Sequence, residues 1–242
     1  MILQKNPFTV RGRIRRCWLF TWRTPVETVR PLVPAPLDPV THRGFAFWNV
    51  VVCEIGGMRP RALPESLGIA YWHVAYRLHV RARVADGREV EGLHFIRSDC
   101  DRSIVTALGN VLTDFRFHTA RIAVQETAGA VDGRIDVADA SARFRIDRSA
   151  APQLSAGSPF ATVAEAAAFL KYKPFGLSPA GRDGINAVRI VRDESAWRSR
   201  EVAVAEQSWE FFAGRNVTPE VCYEVAPIDY EWSRGEILRA AP

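Results

Sequence analysis

A chain of 242 residues with 48% apolar and 24% charged side chains can bury a sizeable core, which excludes the disordered, collagen-like and coiled-coil classes. It contains no uncharged apolar run of about 18 residues, and Met1 to Arg16 carry five Lys or Arg without an apolar stretch. Neither a membrane-spanning helix nor a secretory signal is read, and the expected compartment is the cytoplasm. The net charge of +5 is uneven, with +6 in residues 1–30 and −1 in the other 212. That basic end is one route to nucleic acid, but Arg11, Arg13 and Arg15 alternate with Val10, Gly12 and Ile14 as the polar face of a half-buried strand does. The nucleic-acid reading therefore ranks behind a small-molecule one.

In chain order, segments rich in Val, Ile, Phe, Tyr and Trp predict strands at Ile14–Trp22, Gly44–Ile55, Ile69–Val84, Val90–Arg97, Phe117–Glu126, Arg134–Ala138, Ser141–Ile146, Ala187–Val191, Glu201–Phe212 and Val221–Trp232. Three helices interrupt them. The first is expected to start at Thr24, with Pro25 at the first helical position where its missing N–H costs nothing, and to end before Pro34. The second covers Arg102–Leu112 with Asp101 as its cap. The third follows Thr162, whose spacing to Glu165 makes a capping box. Asp86-Gly87 and Asp132-Gly133 read as tight hairpin turns, because both residue types accept a positive φ. With no repeat or low-complexity linker, the expectation is one α+β domain over residues 1–242, built on a large antiparallel sheet or barrel with a few peripheral helices.

The longest strand separates completely by parity. Its odd positions are Tyr71, His73, Ala75, Arg77, His79, Arg81 and Arg83; its even positions run from Trp72 through Val74, Tyr76, Leu78 and Val80 to Val84. In an open sheet the cationic face meets solvent, whereas in a closed barrel with a covered outside it lines a pocket for a small anion or carboxylate. A second polar cluster, His94, Arg97, Ser98, Asp99, Asp101 and Arg102, sits where a strand gives way to a helix. It reads either as an anion and proton-transfer site with His94 and Asp99 as catalytic groups, or as capping aspartates paired with arginines beside a histidine packed in the sheet. Trp48 is one of several tryptophans able to wall a pocket.

Several familiar sites are missing from the sequence. It has no Gly-x-Ser-x-Gly elbow, no phosphate-binding glycine loop and no His-Glu-x-x-His. His73 and His79 lie about 20 Å apart at a rise of ~3.3 Å per residue, so no metal is expected there. Cys17, Cys53, Cys100 and Cys222 are each more than thirty residues apart and read as four reduced, buried thiols. No cofactor is implied. Against 29 arginines there are only Lys5, Lys171 and Lys173, which leaves few amine nucleophiles.

The stretch LFTWRTPVETVRPLVPAPLDP, from Leu19 to Pro39, resembles the opening of acetoacetate-decarboxylase-like proteins, and Gly87-Arg88-Glu89 resembles their Gly-Arg-Glu triplet. Gly92 to Ser98, Phe169 to Tyr172 and Tyr223 to Trp232 are similar to the YqjF-like branch of that superfamily, called domain of unknown function 2071. The resemblance implies a closed, cone-like antiparallel barrel around a cavity. It also implies that the positions of the two adjacent decarboxylase lysines, eight and nine residues beyond Gly87, are Phe95 and Ile96, neither of which forms an imine. By its spacing to Arg23-Thr24, Arg15 matches the arginine that binds substrate carboxylate in the decarboxylases.

Three readings are carried forward. The first is a cavity that binds a small carboxylate, using Arg15, Arg77, Arg97, Trp48 and Tyr172. The second is a lysine-independent enzyme with His94 and Asp99 as acid and base and an arginine as anion stabiliser. The third is an interaction protein using the basic N-terminal segment. A homo-oligomer is compatible with all three, and a membrane partner with none.

Overall fold

The computed structural model describes residues 4–171 and 173–241. Sixteen strands dominate these residues. The first eight are β1 (Val10–Pro25), β2 (Asp38–Pro39), β3 (Thr41–His42), β4 (Phe45–Pro60), β5 (Ile69–Arg83), β6 (Glu89–Cys100), β7 (Phe117–Thr119) and β8 (Arg121–Glu126). They are followed by β9 (Ala130–Asp136), β10 (Ala142–Asp147), β11 (Phe175–Ala180), β12 (Gly184–Arg192), β13 (Ser199–Trp209), β14 (Thr218–Val225), β15 (Ile228–Trp232) and β16 (Glu236–Arg239). The helices are α1 (Val26–Val29), α2 (Ser103–Leu112) and α3 (Val163–Leu170), beside short 3-10 turns.

Strand pairing runs β4–β5–β6–β11–β12–β15–β1 and returns from β1 to β4, so the path closes on itself. All these pairs are antiparallel except β6 with β11. From β1 the pairing also branches through β14 and β13 to β10, β9 and β8. Period-two alternation then sorts side chains onto two buried faces. On one, Trp18, Phe20, Trp22, Trp48 and Tyr76 pack against Phe144, Trp209 and Phe212 of the branch. Phe20 meets Phe144 edge-on at 4.9 Å and Trp209 at 5.2 Å between ring centroids, the geometry aromatic quadrupoles favour. The opposite face carries Cys17, Leu19, Val51, Cys53, Tyr71, Phe95 and Tyr230.

The β5–β6 hairpin forms at Asp86-Gly87, with Gly87 at φ +88°. Asp132-Gly133, by contrast, is not a turn: both lie inside β9, and the connection to β8 is made at Thr127–Ala130. Gly133 is there for close approach, since a Cβ would stand 2.1 Å from Phe144 Cζ. The first helix is shorter than expected, because Thr24 and Pro25 remain paired with Ala46 and Phe45 of β4 and Thr24 Oγ1 donates to Asn216 O. Asp101 does not cap α2; its Oδ1 accepts from the Trp72 N–H, and the cap position is Arg102. Thr162 does cap α3, its Oγ1 accepting from Glu165 N at 3.1 Å, but the Glu165 carboxylate reaches Ala161 N instead of closing the box on Thr162. The expected Val221–Trp232 strand is two, β14 and β15, separated at Pro227, which has no N–H for the ladder. β11 lies outside every segment expected to be a strand.

Candidate ligand cavity

Inside the closed pairing path lies a cavity of about 270 Å³. Its wall is built from Cys17 and Leu19 of β1, Val51, Cys53 and Ile55 of β4, Tyr71, His73 and Arg77 of β5, Phe95 of β6, Ile190 of β12, and Tyr230 and Trp232 of β15. Val105, Leu108 and Leu112 of α2 complete it, and it reaches the surface at Phe8 and Leu108, both partly exposed. Helix α2 is seated by Gly109, where a Cβ would lie 2.4 Å from Phe117 Cδ2. The lining is overwhelmingly apolar, as ligand sites commonly are, with few polar groups.

Arg77 is a buried cation of this wall, 5% exposed, and Arg59 and Arg192 also line it. The Arg77 Nη2 donates to Asn49 Oδ1, and its guanidinium carbon stands 5.6 Å from the centroid of the Phe95 ring. Burial keeps the Tyr71 and Tyr230 hydroxyls protonated by pushing both well above the usual phenol range. The Cys17 thiol and burial together push the Cys53 thiol well up, while the His73 ring pulls the other way.

The cationic face of β5 comes apart along its length. Tyr71, His73 and Arg77 face the cavity. His79 is buried beyond them, and desolvation lowers its pKa to about 3, so it is uncharged at neutrality. Arg81 and Arg83 emerge at the strand end, Arg81 lying 3.6 Å from Glu89.

Of the other site candidates named in sequence, Arg15, Trp48, Arg97, His94 and Asp99 do not line the cavity. Arg15 is displaced by a register irregularity between Ile14 and Arg16; its exposed side chain lies 3.8 Å from Glu54 and lines a surface groove with Arg16, Arg148, Arg200 and Glu224. That irregularity is what allows Ile14 and Cys17 to share the inner face. Trp48 is in the outer aromatic layer, edge-on to Phe211 at 5.4 Å. Arg97 donates from Nε to Asp99 Oδ1 at 2.8 Å and from Nη2 to Ala138 O at 3.1 Å. Tyr172 lies outside the described residues.

His94 and Asp99 are not brought together. Five positions apart on β6, they are separated by about 16 Å at ~3.3 Å per residue. The His94 ring sits 3.0 Å from Leu177 O and burial lowers its pKa. The Asp99 side chain is fully buried beside Arg97, with His118 Nδ1 at 3.8 Å, and burial raises its pKa to about 6 despite the Arg97 guanidinium. Asp99 is thus paired with Arg97 and His94 is packed in the sheet, while neither Asp99 nor Asp101 caps α2. Lys171 is exposed and Lys173 is bound to Glu91 at 2.7 Å, so neither lines the cavity. Phe95, at the position the resemblance assigns to a decarboxylase lysine, presents a ring to the cavity, while Ile96 packs on the outer face. The basic N-terminal strand is partly neutralised, Arg13 by Asp229 at 3.0 Å and Arg16 by Glu54 at 2.6 Å.

Of the tryptophans able to wall a pocket, Trp197 and Trp232 line this one; the sequence reading missed Cys17, Cys53, Phe95 and Tyr230 as wall residues, and named His73 only as part of a strand face. No motif joins them, because strand register alone makes them neighbours.

Residues 11–228 match the family DUF2071, described as an uncharacterized conserved protein, and the chain belongs to that family. Comparison with curated proteins finds no match in sequence. Among solved structures, an acetoacetate decarboxylase-like enzyme from Sphingomonas wittichii RW1 superposes with a TM-score of 0.63 at 13% identity, over 97% of this chain and 94% of that one. Acetoacetate decarboxylase from Legionella pneumophila matches with a TM-score of 0.61 at 11% identity, over 95% and 87%. The enduracididine biosynthesis enzyme MppR, solved with pyruvate, matches with a TM-score of 0.59 at 13% identity, over 98% and 91%. At these identities the likeness is one of fold.

Proposed function

We propose that this chain is a small-molecule-binding protein whose strands close as a barrel around the cavity. Its ligand is a compact, largely apolar carboxylate whose anionic head meets Arg77. The observation that carries this reading is Arg77 itself, a guanidinium buried in a largely apolar, ligand-sized wall. Asn49 accepts a hydrogen bond from it and so helps to fix its orientation. A carboxylate is opposite in charge and matches the planar fork of the guanidinium. Tyr71 and Tyr230 add hydroxyl groups around the same space, and Phe95 and Trp232 favour a ligand with an apolar body. The pyruvate held by MppR, a protein of the same fold, makes keto acids reasonable first probes. No lysine lines the cavity among the described residues, so imine chemistry has no nucleophile in its wall.

Thermal unfolding against pyruvate, phenylpyruvate, benzoate and the neutral benzamide tests the reading. A carboxylate at one hundred times its Kd stabilises by about 2.7 kcal/mol, roughly 5–10 °C for a chain of this length. The expected result is a shift with one or more acids, none with benzamide, and a shift at least halved in Arg77→Met. No shift with any acid, or an undiminished shift in Arg77→Met, overturns it.

A further inference from the structure

The same cavity wall holds a second chemistry that carboxylate binding does not use. Strands β1, β4 and β5 set Cys17, Cys53 and His73 in one cross-strand row, Cys17 directly opposite Cys53 and Cys53 directly opposite His73. All three are buried and all three line the cavity. Directly opposed residues of antiparallel strands hold their Cα atoms about 4.5–5.5 Å apart, within the ~4.4–6.8 Å that a disulfide spans. The Cys53 thiol interacts with both the Cys17 thiol and the His73 ring, and His73 Nε2 has no hydrogen-bond partner among the described residues. The remaining thiols are placed differently: Cys100 is opposite His73 on its far side, and Cys222 belongs to the outer aromatic layer.

We propose that Cys17 and Cys53 form a reversible dithiol–disulfide couple in the cavity wall, oxidised by a small hydroperoxide that enters the cavity. His73 accepts the Cys53 thiol proton and the sulfur attacks one peroxide oxygen. The O–O bond breaks, and the other oxygen leaves with that proton as an alcohol, or as water where the oxidant is hydrogen peroxide. Cys53 is then a sulfenic acid. The Cys17 sulfur attacks it, the S–S bond forms as the S–O bond breaks, and the hydroxyl group leaves with the Cys17 proton as water. Two thiols and one hydroperoxide thus give one disulfide, one alcohol and one water. A thiol reductant restores the pair by exchange.

The test treats the reduced full-length protein with hydrogen peroxide, then reads intact mass, free thiols under denaturing conditions and a non-reducing peptide map. The expected result is loss of two hydrogen atoms, a fall of two in the thiol count, and a cross-link joining the Cys17 and Cys53 peptides, all reversed by dithiothreitol. Cys17→Ser should instead accumulate a sulfenic acid at Cys53, trapped by dimedone. The C100S/C222S protein should oxidise like the parent. An unchanged thiol count, oxidation confined to Cys100 or Cys222, or a cross-link between any other pair overturns the proposal. The peptide map is read on the unsubstituted protein, so a misfolded variant cannot mask the outcome. The readout needs no carboxylate, so it fails or succeeds independently of the binding reading.

Discussion

The two faces of β5 are both buried, yet they are filled differently. Toward the outer layer, Val74, Tyr76, Leu78 and Val80 belong to the same packed cluster as Phe144, Trp209 and Phe212, whose rings fill the space under the branch through β13 and β10. Toward the inside, Tyr71, His73 and Arg77 border space that the neighbouring side chains leave open. One strand therefore carries a packing face and a chemical face, separated only by side-chain parity. A close-packed layer contributes stability through its contacts, whereas buried polar groups beside a void mark where binding is built.

Truncation should separate the faces most sharply. Phe144→Ala removes a ring enclosed on all sides and should cost about 3–5 kcal/mol in urea unfolding, leaving any carboxylate shift intact if the protein remains folded. Phe95→Ala enlarges a space that already exists and should cost clearly less while altering which acids bind. Equal losses at the two positions would erase the distinction. Next in size, Arg77→Met should weaken carboxylate binding about ten- to hundredfold, the scale of a charge-assisted hydrogen bond, read from the ligand-induced shift in thermal midpoint.

A third effect belongs to the outer face. Burial holds Asp99 protonated up to about pH 6, whereas in the unfolded chain an aspartate releases its proton near about pH 4. The native state thus binds more protons in that window, and stability falls as pH rises through it. Asp99→Asn should flatten that fall, read from urea midpoints between pH 4 and 6.5; a slope equal to the parent's would place its origin elsewhere. The smallest effect is expected for Arg15→Ala, within about 0.5 kcal/mol in stability and without change in carboxylate affinity. Its side chain is exposed and faces away from the cavity. Loss of binding there would move the anion site to the surface groove.

How far the sequence reached differs from element to element. Alternation placed most strands within a few residues, because side-chain period is a local property. Asp132-Gly133 misled because a local turn signal was overridden by a distant Phe144, for which Gly133 leaves room. Arg77 was legible as a candidate from parity alone. Arg15 followed the same strand logic and failed, because one bulged residue reverses the face of what precedes it. The thiol pair had no local signal at all, with 35 residues standing between Cys17 and Cys53.

The sequence by itself determined a sheet-dominated chain with few helices, the strand-rich order, the split between an apolar and a polar face of β5, and the absence of lysine at positions 95 and 96. Each depends on residue identity or on spacing along one segment. Only the tertiary structure decided that His94 and Asp99 stay apart, that His79 is buried and uncharged, and that Arg77, His73, Cys53 and Cys17 share one cavity. Those outcomes depend on register between strands far apart in the chain, where a shift of one residue turns every side chain to the opposite face.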